Sequence, residues 1–105
     1  MEELYEIAFG LILHAGNSRS QSIRAVKEAE KGNFKQAEEC MKTAREELHL
    51  AHEIQTGLLQ EEAGGDKKEL NLLMVHAQDH LAMAMSQQEV SLQIIHLYQR
   101  LEERA

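Results

Sequence analysis

The 105-residue sequence contains no proline and no tryptophan, and aromatic residues make up only 4% of it. With so few large rings, its small and aliphatic side chains suit closely packed helices better than a β-sandwich. Apolar residues still account for 43% of the chain, and residues that favour helices, such as alanine, leucine, glutamate and lysine, are frequent. Composition and length together predict a single all-α domain over residues 1–105.

A lone cysteine, Cys40, excludes an intrachain disulfide and is compatible with a reducing compartment. The first residues are acidic rather than basic, and the apolar run at Ile7–Leu13 is too short to span a membrane. We therefore expect a cytoplasmic protein without direct membrane insertion.

Basic residues are outnumbered: 11 lysines and arginines stand against 18 aspartates and glutamates, for a net charge of −7. This balance argues against binding to nucleic acid or to anionic membranes, because both require basic surfaces. It is compatible with a basic protein partner, which the negative charge would attract.

Helix breakers are few, so their positions are informative. Gly32-Asn33 and the segment 63–66 interrupt otherwise helical patterns. Three helices are therefore predicted, over about 2–31, 34–62 and 67–103. Because short loops join long helices, the sequence predicts an up-down-up antiparallel three-helix bundle.

Apolar and small side chains recur at steps of three and four residues, as expected for helices packed in a bundle. In the first helix they are Leu4, Ala8, Leu11, Ala15, Ser18, Ser22, Val26 and Ala29. In the second they are Phe34, Ala37, Met41, Ala44, Leu48, Ala51, Gln55 and Leu58. The third helix is predicted to begin near Asp66, which precedes Glu69 by three residues in the spacing of a capping pair.

The third helix is unusually poor in charge, since only Asp79 and Glu89 are charged between Leu70 and Gln99. Its core stripe is Leu70, Leu73, Ala77, Leu81, Ala84, Gln88, Leu92 and Ile95. A second stripe comprises Leu72, Val75, Asp79, Ala82, Met83, Ser86, Val90 and Leu97. A three-helix bundle buries one side of each helix, so the second stripe predicts a subunit interface. The alternative is a solvated face rich in glutamine and serine.

The third helix also holds a polar cluster, because His76, Asp79 and His80 share one side of it. A buried aspartate needs a basic partner, a cation or a proton, and no lysine or arginine lies within two turns of Asp79. In a cyclic oligomer, copies of Asp79 would meet near the axis and repel one another unless a divalent ion such as Mg²⁺ lay between them. A neutral His76 could act as a nucleophile, although a lone histidine on an apolar helix is more often structural.

Other interpretations of the polar residues are weaker. His76 and His80 have the spacing of a zinc-binding pair, but no further ligands accompany them. Glu46 and His49 match half of a di-iron site and lack the other half. The segment 32–44 is similar to the start of a helical repeat, which would indicate an adaptor, yet it does not recur 34 residues later. A non-catalytic adaptor or a metal-binding bundle therefore remain as alternatives.

Four segments resemble the lactose/cellobiose-type enzyme IIA family of the bacterial phosphoenolpyruvate-dependent sugar phosphotransferase system (PTS). They are HAGNSRS (14–20), AEKGNFKQAEE (29–39), AHEIQTGLLQEEA (51–63) and, most specifically, VHAQDHL (75–81). The resemblance covers almost the whole chain. It implies a phosphotransferase component with three helices per subunit, assembled as a homotrimer with a nine-helix body.

The resemblance also implies roles for individual residues. His76 corresponds to the phosphorylated histidine, and Asp79 to the aspartate that binds one divalent metal per trimer, expected to be Mg²⁺, on the threefold axis. Gln78 and His80 match the motif and are expected to have supporting roles. The implied donor is the phosphocarrier HPr, and the acceptor is a cysteine of enzyme IIB, which serves the membrane component IIC in uptake of a β-linked disaccharide. Ala82 and Met83 depart from the Met-Thr that commonly follows this motif.

Overall fold

The computed structural model describes residues 2–105 as three antiparallel helices, α1 (Glu2–Glu30), α2 (Phe34–Ala63) and α3 (Leu72–Glu103). The described chain contains no strand and forms a rod of 57 × 21 × 19 Å. α1 packs along both other helices, whereas α2 and α3 contact each other less. The predicted three-helix architecture is confirmed.

Two apolar clusters occupy the interior, one at each end of the rod. The cluster at the α3 N-terminal end comprises Leu4, Ala8, Leu11, Ala15, Leu48, Ala51, Met74, Ala77, Leu81 and Ala84. The other comprises Ala25, Ala29, Ala37, Met41 and Ile95. Between them Ser18, Ser22 and Ser91 are fully buried, and the Ser18 hydroxyl donates to the Ala44 carbonyl oxygen at 2.8 Å. Alanine and serine at these positions let the helices approach closely.

The buried residues follow the predicted stripes with small shifts. Ala25 is buried in place of Val26, and Met74 in place of Leu73; both replaced residues are half-buried. Leu70, predicted to lie in the core, is 81% exposed because it precedes the helix.

A glycine with positive φ lies two residues beyond the end of both α1 and α2, Gly32 (84°) and Gly65 (102°). After each glycine the next amide donates back into the last turn, from Asn33 to the Glu28 carbonyl and from Asp66 to the Glu61 carbonyl, both at 2.9 Å. These are Schellman motifs, in which glycine avoids the steric cost of the left-handed conformation. The two predicted breaks are therefore confirmed.

The predicted start of the third helix was wrong, because α3 begins at Leu72 rather than at residue 67. Asn71 is the N-cap, and its Oδ1 accepts the Met74 amide at 2.8 Å. Asp66 is instead held by Lys68, whose Nζ also contacts Glu61 at 2.7 Å. Residues 66–71 lie outside any helix, so the Asp66–Glu69 spacing does not act as a cap.

The second stripe of α3 is uncovered in the single chain. We call it the outer face of α3, made of Leu72, Val75, Asp79, Ala82, Met83, Ser86, Val90 and Leu97. Its leucines are largely exposed, Leu72 at 84% and Leu97 at 58%. The face therefore meets the condition from which a subunit interface was predicted, and the oligomer itself stays a prediction.

None of the three described helices combines the length and apolarity needed to cross a bilayer.

Candidate functional site

Two histidines on consecutive turns of α3 face each other. The Nε2 atoms of His76 and His80 lie 3.1 Å apart, with ring centroids 4.5 Å apart and the rings perpendicular. At this distance one ring donates an N–H and the other accepts with its lone pair, because two lone pairs or two hydrogens would repel. His76 is exposed while His80 is half-buried. The accessible member of the pair is therefore the one that a partner protein can reach.

Asp79 lies beside this pair on the outer face of α3 and is exposed in the single chain. Among residues 2–105, no lysine or arginine lies within salt-bridge distance of its carboxylate. Its neighbours along the face, Val75 and Met83, are apolar. An unpaired carboxylate on a face that is otherwise suited to burial is the arrangement that calls for a cation once the face is covered.

One chain does not assemble a metal site by itself, since residues 2–105 hold no group of three or more histidine, cysteine, aspartate or glutamate side chains placed to bind an ion. His76 and His80 therefore have no third zinc ligand among residues 2–105. The di-iron interpretation gains nothing either, because His49 contacts Glu53 at 2.6 Å on an exposed surface.

Gln78 lies on the other side of α3 from the histidines and contacts α2. Its Oε1 accepts from Gln55 Nε2 at 2.8 Å, and its Nε2 lies 3.6 Å from Met74 Sδ. Within one chain the structure therefore brings together His76 and His80 but not Gln78. The sequence did not predict Gln55 as the partner of Gln78. The one feature that pointed to such a contact was a glutamine, Gln55, within the apolar stripe of α2.

A second contact that sequence analysis missed joins α1 to α2. His14 Nδ1 lies 2.6 Å from Glu47 Oε2, and both side chains are about a quarter exposed. His14 is half-buried and contacts this residue of its own chain. The two residues are 33 positions apart, so no local pattern could have paired them.

Comparisons with known proteins bear on the whole chain. The family model described as "PTS system, Lactose/Cellobiose specific IIA subunit" matches residues 6–99. The lichenan-specific phosphotransferase enzyme IIA component of Bacillus subtilis (strain 168) is 47% identical over 103 residues, covering 98% of this chain and 94% of that protein.

Solved structures are also similar. The crystal structure of the PTS cellobiose-specific enzyme IIA from Bacillus anthracis superposes with a TM-score of 0.93 at 42% identity, over 95% of this chain and 92% of the other. A chain from the solution structures of the IIA(Chitobiose)–HPr complex of Escherichia coli gives 0.83 at 38% identity, over 97% and 99%. The likeness thus extends over the full bundle and includes the segment that carries His76.

Proposed function

The chain belongs to the lactose/cellobiose-specific IIA subunits of the phosphotransferase system, and on this premise we propose that His76 is the residue that carries the phosphoryl group. Members of this family are phosphocarriers, and the chain is a phosphotransferase component. It accepts a phosphoryl group from the phosphohistidine of HPr and hands it to the cysteine of enzyme IIB. The membrane component IIC then transports and phosphorylates a β-linked disaccharide of the lactose, cellobiose or chitobiose type.

The 3.1 Å contact between His76 and His80 carries the assignment. Transfer to Nε2 of His76 requires a lone pair there, so His80 is the donor of the resting contact. When the phosphoryl group arrives, the N–P bond of phospho-HPr breaks as the His76 N–P bond forms. The His76 ring gives up the proton of its Nδ1, and this balances the proton that the HPr histidine takes up. The freed His80 N–H then lies where it can donate to a phosphoryl oxygen, a charge-assisted hydrogen bond.

Onward transfer reverses the chemistry with sulfur as the nucleophile. The sulfur of the IIB cysteine attacks phosphorus, an S–P bond forms as the His76 N–P bond breaks, and the proton given up by the thiol returns to the His76 ring. Such in-line transfer depends mainly on positioning and charge stabilisation, which rigid neighbouring turns of a helix provide. Among residues 2–105, Nδ1 of His76 has no hydrogen-bond partner, so an acceptor for it would come from a neighbouring copy or from the docked partner.

The subunits would form a homotrimer of nine helices, with the outer face of α3 turned toward the threefold axis. Support comes from the exposed apolar side chains of that face and from the unpaired Asp79 among them. The three Asp79 carboxylates would hold one divalent ion, Mg²⁺ by preference, whose positive charge offsets their mutual repulsion. The protein would act in the cytoplasm, where phosphoenolpyruvate-driven transfer takes place.

The decisive experiment is incubation with phosphoenolpyruvate, enzyme I and HPr. One acid-labile phosphate per chain is expected, mapped to His76 by mass spectrometry, and His76→Ala should abolish it. His49→Ala, at an exposed histidine on α2, is the matched control and should be phosphorylated like the wild type. Phosphate uptake at the normal rate by His76→Ala would overturn the assignment.

A further inference from the structure

Arg19 is an exposed cation of α1 that borders the outer face of α3. It lines a shallow groove together with Met83, Ser86, Gln87 and Val90 of α3. Among residues 2–105, no carboxylate lies within salt-bridge distance of its guanidinium. Arg19 therefore places an unpaired positive charge along one edge of the face that the proposed trimer would cover.

Glu89 places an unpaired negative charge along the other edge. It directly precedes Val90 in α3, so its side chain leaves the helix about 100° around from Val90. Gln87 lies on the opposite side of Val90, toward Arg19. Glu89 is exposed and has no lysine or arginine within salt-bridge distance among residues 2–105. The two charges thus flank the same stretch, Met83–Val90, which is about 10 Å of helix.

From this placement we infer that Arg19 of each chain pairs with Glu89 of the next chain around the assembly axis. The inference rests on the trimer of the proposed function. Rotation about an axis parallel to the bundle keeps every residue at its own height and brings the Arg19 edge of one copy against the Glu89 edge of the next. The guanidinium is long and flexible enough to reach a carboxylate at this level. Closing the ring gives three identical pairs.

The same two charges oppose the antiparallel arrangement of copies. A twofold axis perpendicular to α3 would set each Arg19 edge against another Arg19 edge, and each Glu89 edge against another Glu89 edge. Like charges that face each other at both edges cost free energy, whereas the parallel arrangement sets Arg19 against Glu89. The parallel arrangement is also the one that collects Asp79 from all copies at one height and leaves every His76 at the same end. The pair therefore selects the orientation that the site requires.

Charge exchange at the two positions tests the pairing. Sedimentation equilibrium would compare Arg19→Glu, Glu89→Arg and the double exchange with the wild type at about 0.1 M salt, where surface charges are only partly screened. Each single exchange is expected to raise the protein concentration at which trimers dissociate by roughly tenfold, because three attractive pairs become repulsive. The double exchange should recover most of that loss, and high salt should shrink the difference.

Arg24→Glu is the matched control. Arg24 is an exposed arginine of α1 that lines a groove with Cys40 of α2, away from the outer face of α3. It should assemble like the wild type. Singles that assemble as tightly as the wild type, or a double exchange that is no better than the singles, would overturn the pairing. Phosphorylation of His76, measured in the same preparations, reports separately on the proposed function, and a wild type that never associates would overturn both the trimer and the pair.

Discussion

The Nε2 atom of His76 lies 3.1 Å from the Nε2 atom of His80, one turn further along α3. A single hydrogen occupies the space between them, and in the proposed mechanism it belongs to His80. Removing it should slow phosphoryl transfer without removing the nucleophile. His80→Ala is expected to lower the rate of transfer from phospho-HPr roughly 10- to 100-fold, the value of a hydrogen bond to a charged group.

Rapid-quench measurement of phosphate on His76 would check this rate. His80→Gln, which keeps an N–H donor on a flexible side chain, should recover part of it. The helix content of both variants, measured by circular dichroism, should match the wild type because, among residues 2–105, His80 forms its only side-chain hydrogen bond with His76 of the same helix. A rate for His80→Ala equal to that of the wild type would remove His80 from the mechanism.

Asp79→Leu is expected to leave association intact or to tighten it, while abolishing the binding of one divalent ion per trimer. The physical reason is that leucine removes three repelling carboxylates from an apolar face and replaces them with side chains that pack. Sedimentation would measure association, and elemental analysis after dialysis against Mg²⁺ or Mn²⁺ would measure the metal. Metal retained at full occupancy in Asp79→Leu would show that the ion binds elsewhere.

The Gln55–Gln78 hydrogen bond is expected to contribute to stability rather than to chemistry within one chain. Gln55→Ala and Gln78→Ala should each lower the free energy of unfolding by about 1 kcal/mol, and the double variant should lose less than the sum. Urea unfolding of the wild type, the two single variants and the double variant would measure these free energies. If Gln78→Ala slows phosphorylation while Gln55→Ala does not, Gln78 acts at the site of the assembled protein, as the family motif implies.

Two possible cap residues distinguish the observed start of α3 from the predicted one. Asn71→Ala should destabilise the protein by about 1 kcal/mol, because the Met74 amide loses its capping acceptor. Asp66→Ala, at the cap expected from sequence, should change stability by less than about 0.5 kcal/mol since it removes only an exposed contact with Lys68. Equal losses in thermal or urea unfolding would contradict the Asn71 cap.

Tyr98 links the ends of α1 and α3, and its hydroxyl donates to Glu30 Oε2 at 3.3 Å. The negative charge of Glu30 raises the pKa of Tyr98 above its ordinary value, with smaller contributions from burial and from this hydrogen bond. Because the folded pKa is the raised one, the contact stabilises the protein at neutral pH and is lost as pH rises through that pKa. Ultraviolet titration should show Tyr98 ionising above free tyrosine, and Glu30→Gln should lower its midpoint. Tyr5→Phe leaves Tyr98 as the only signal, and an unchanged midpoint in Glu30→Gln would refute the coupling.

Much of the fold could be predicted because it depends on local periodicity. The three- and four-residue steps of α1 and α2 identify most of the core, and Gly32 and Gly65 mark turns that need positive φ. The scarcity of charge along α3 pointed to a face that the single chain leaves exposed, which the structure confirms. Ala25 is buried rather than Val26 because the line of contact drifts around a straight helix over the roughly six turns between Leu4 and Val26.

The start of α3 could not be predicted, because two local signals competed and a contact outside the helix decided between them. Asp66 and Asn71 both have side chains able to cap a helix. Lys68 contacts Asp66 and Glu61 together, which ties the connection to the last turn of α2 and leaves Asn71 as the cap. A lysine that joins the connection to the end of the preceding helix is a contact that no capping rule contains.

For the site, the sequence by itself determined that His76, Asp79 and His80 share one side of a charge-poor helix, since helical spacing alone sets that relationship. Only the tertiary structure decided that the two imidazoles meet through their Nε2 atoms, that Gln78 instead contacts Gln55 on α2, and that Arg19 of α1 lies along the edge of the α3 outer face. Spacing sets the direction in which a side chain leaves its helix. What it meets there depends on where the other helices lie, and residues far apart in the chain settle that together.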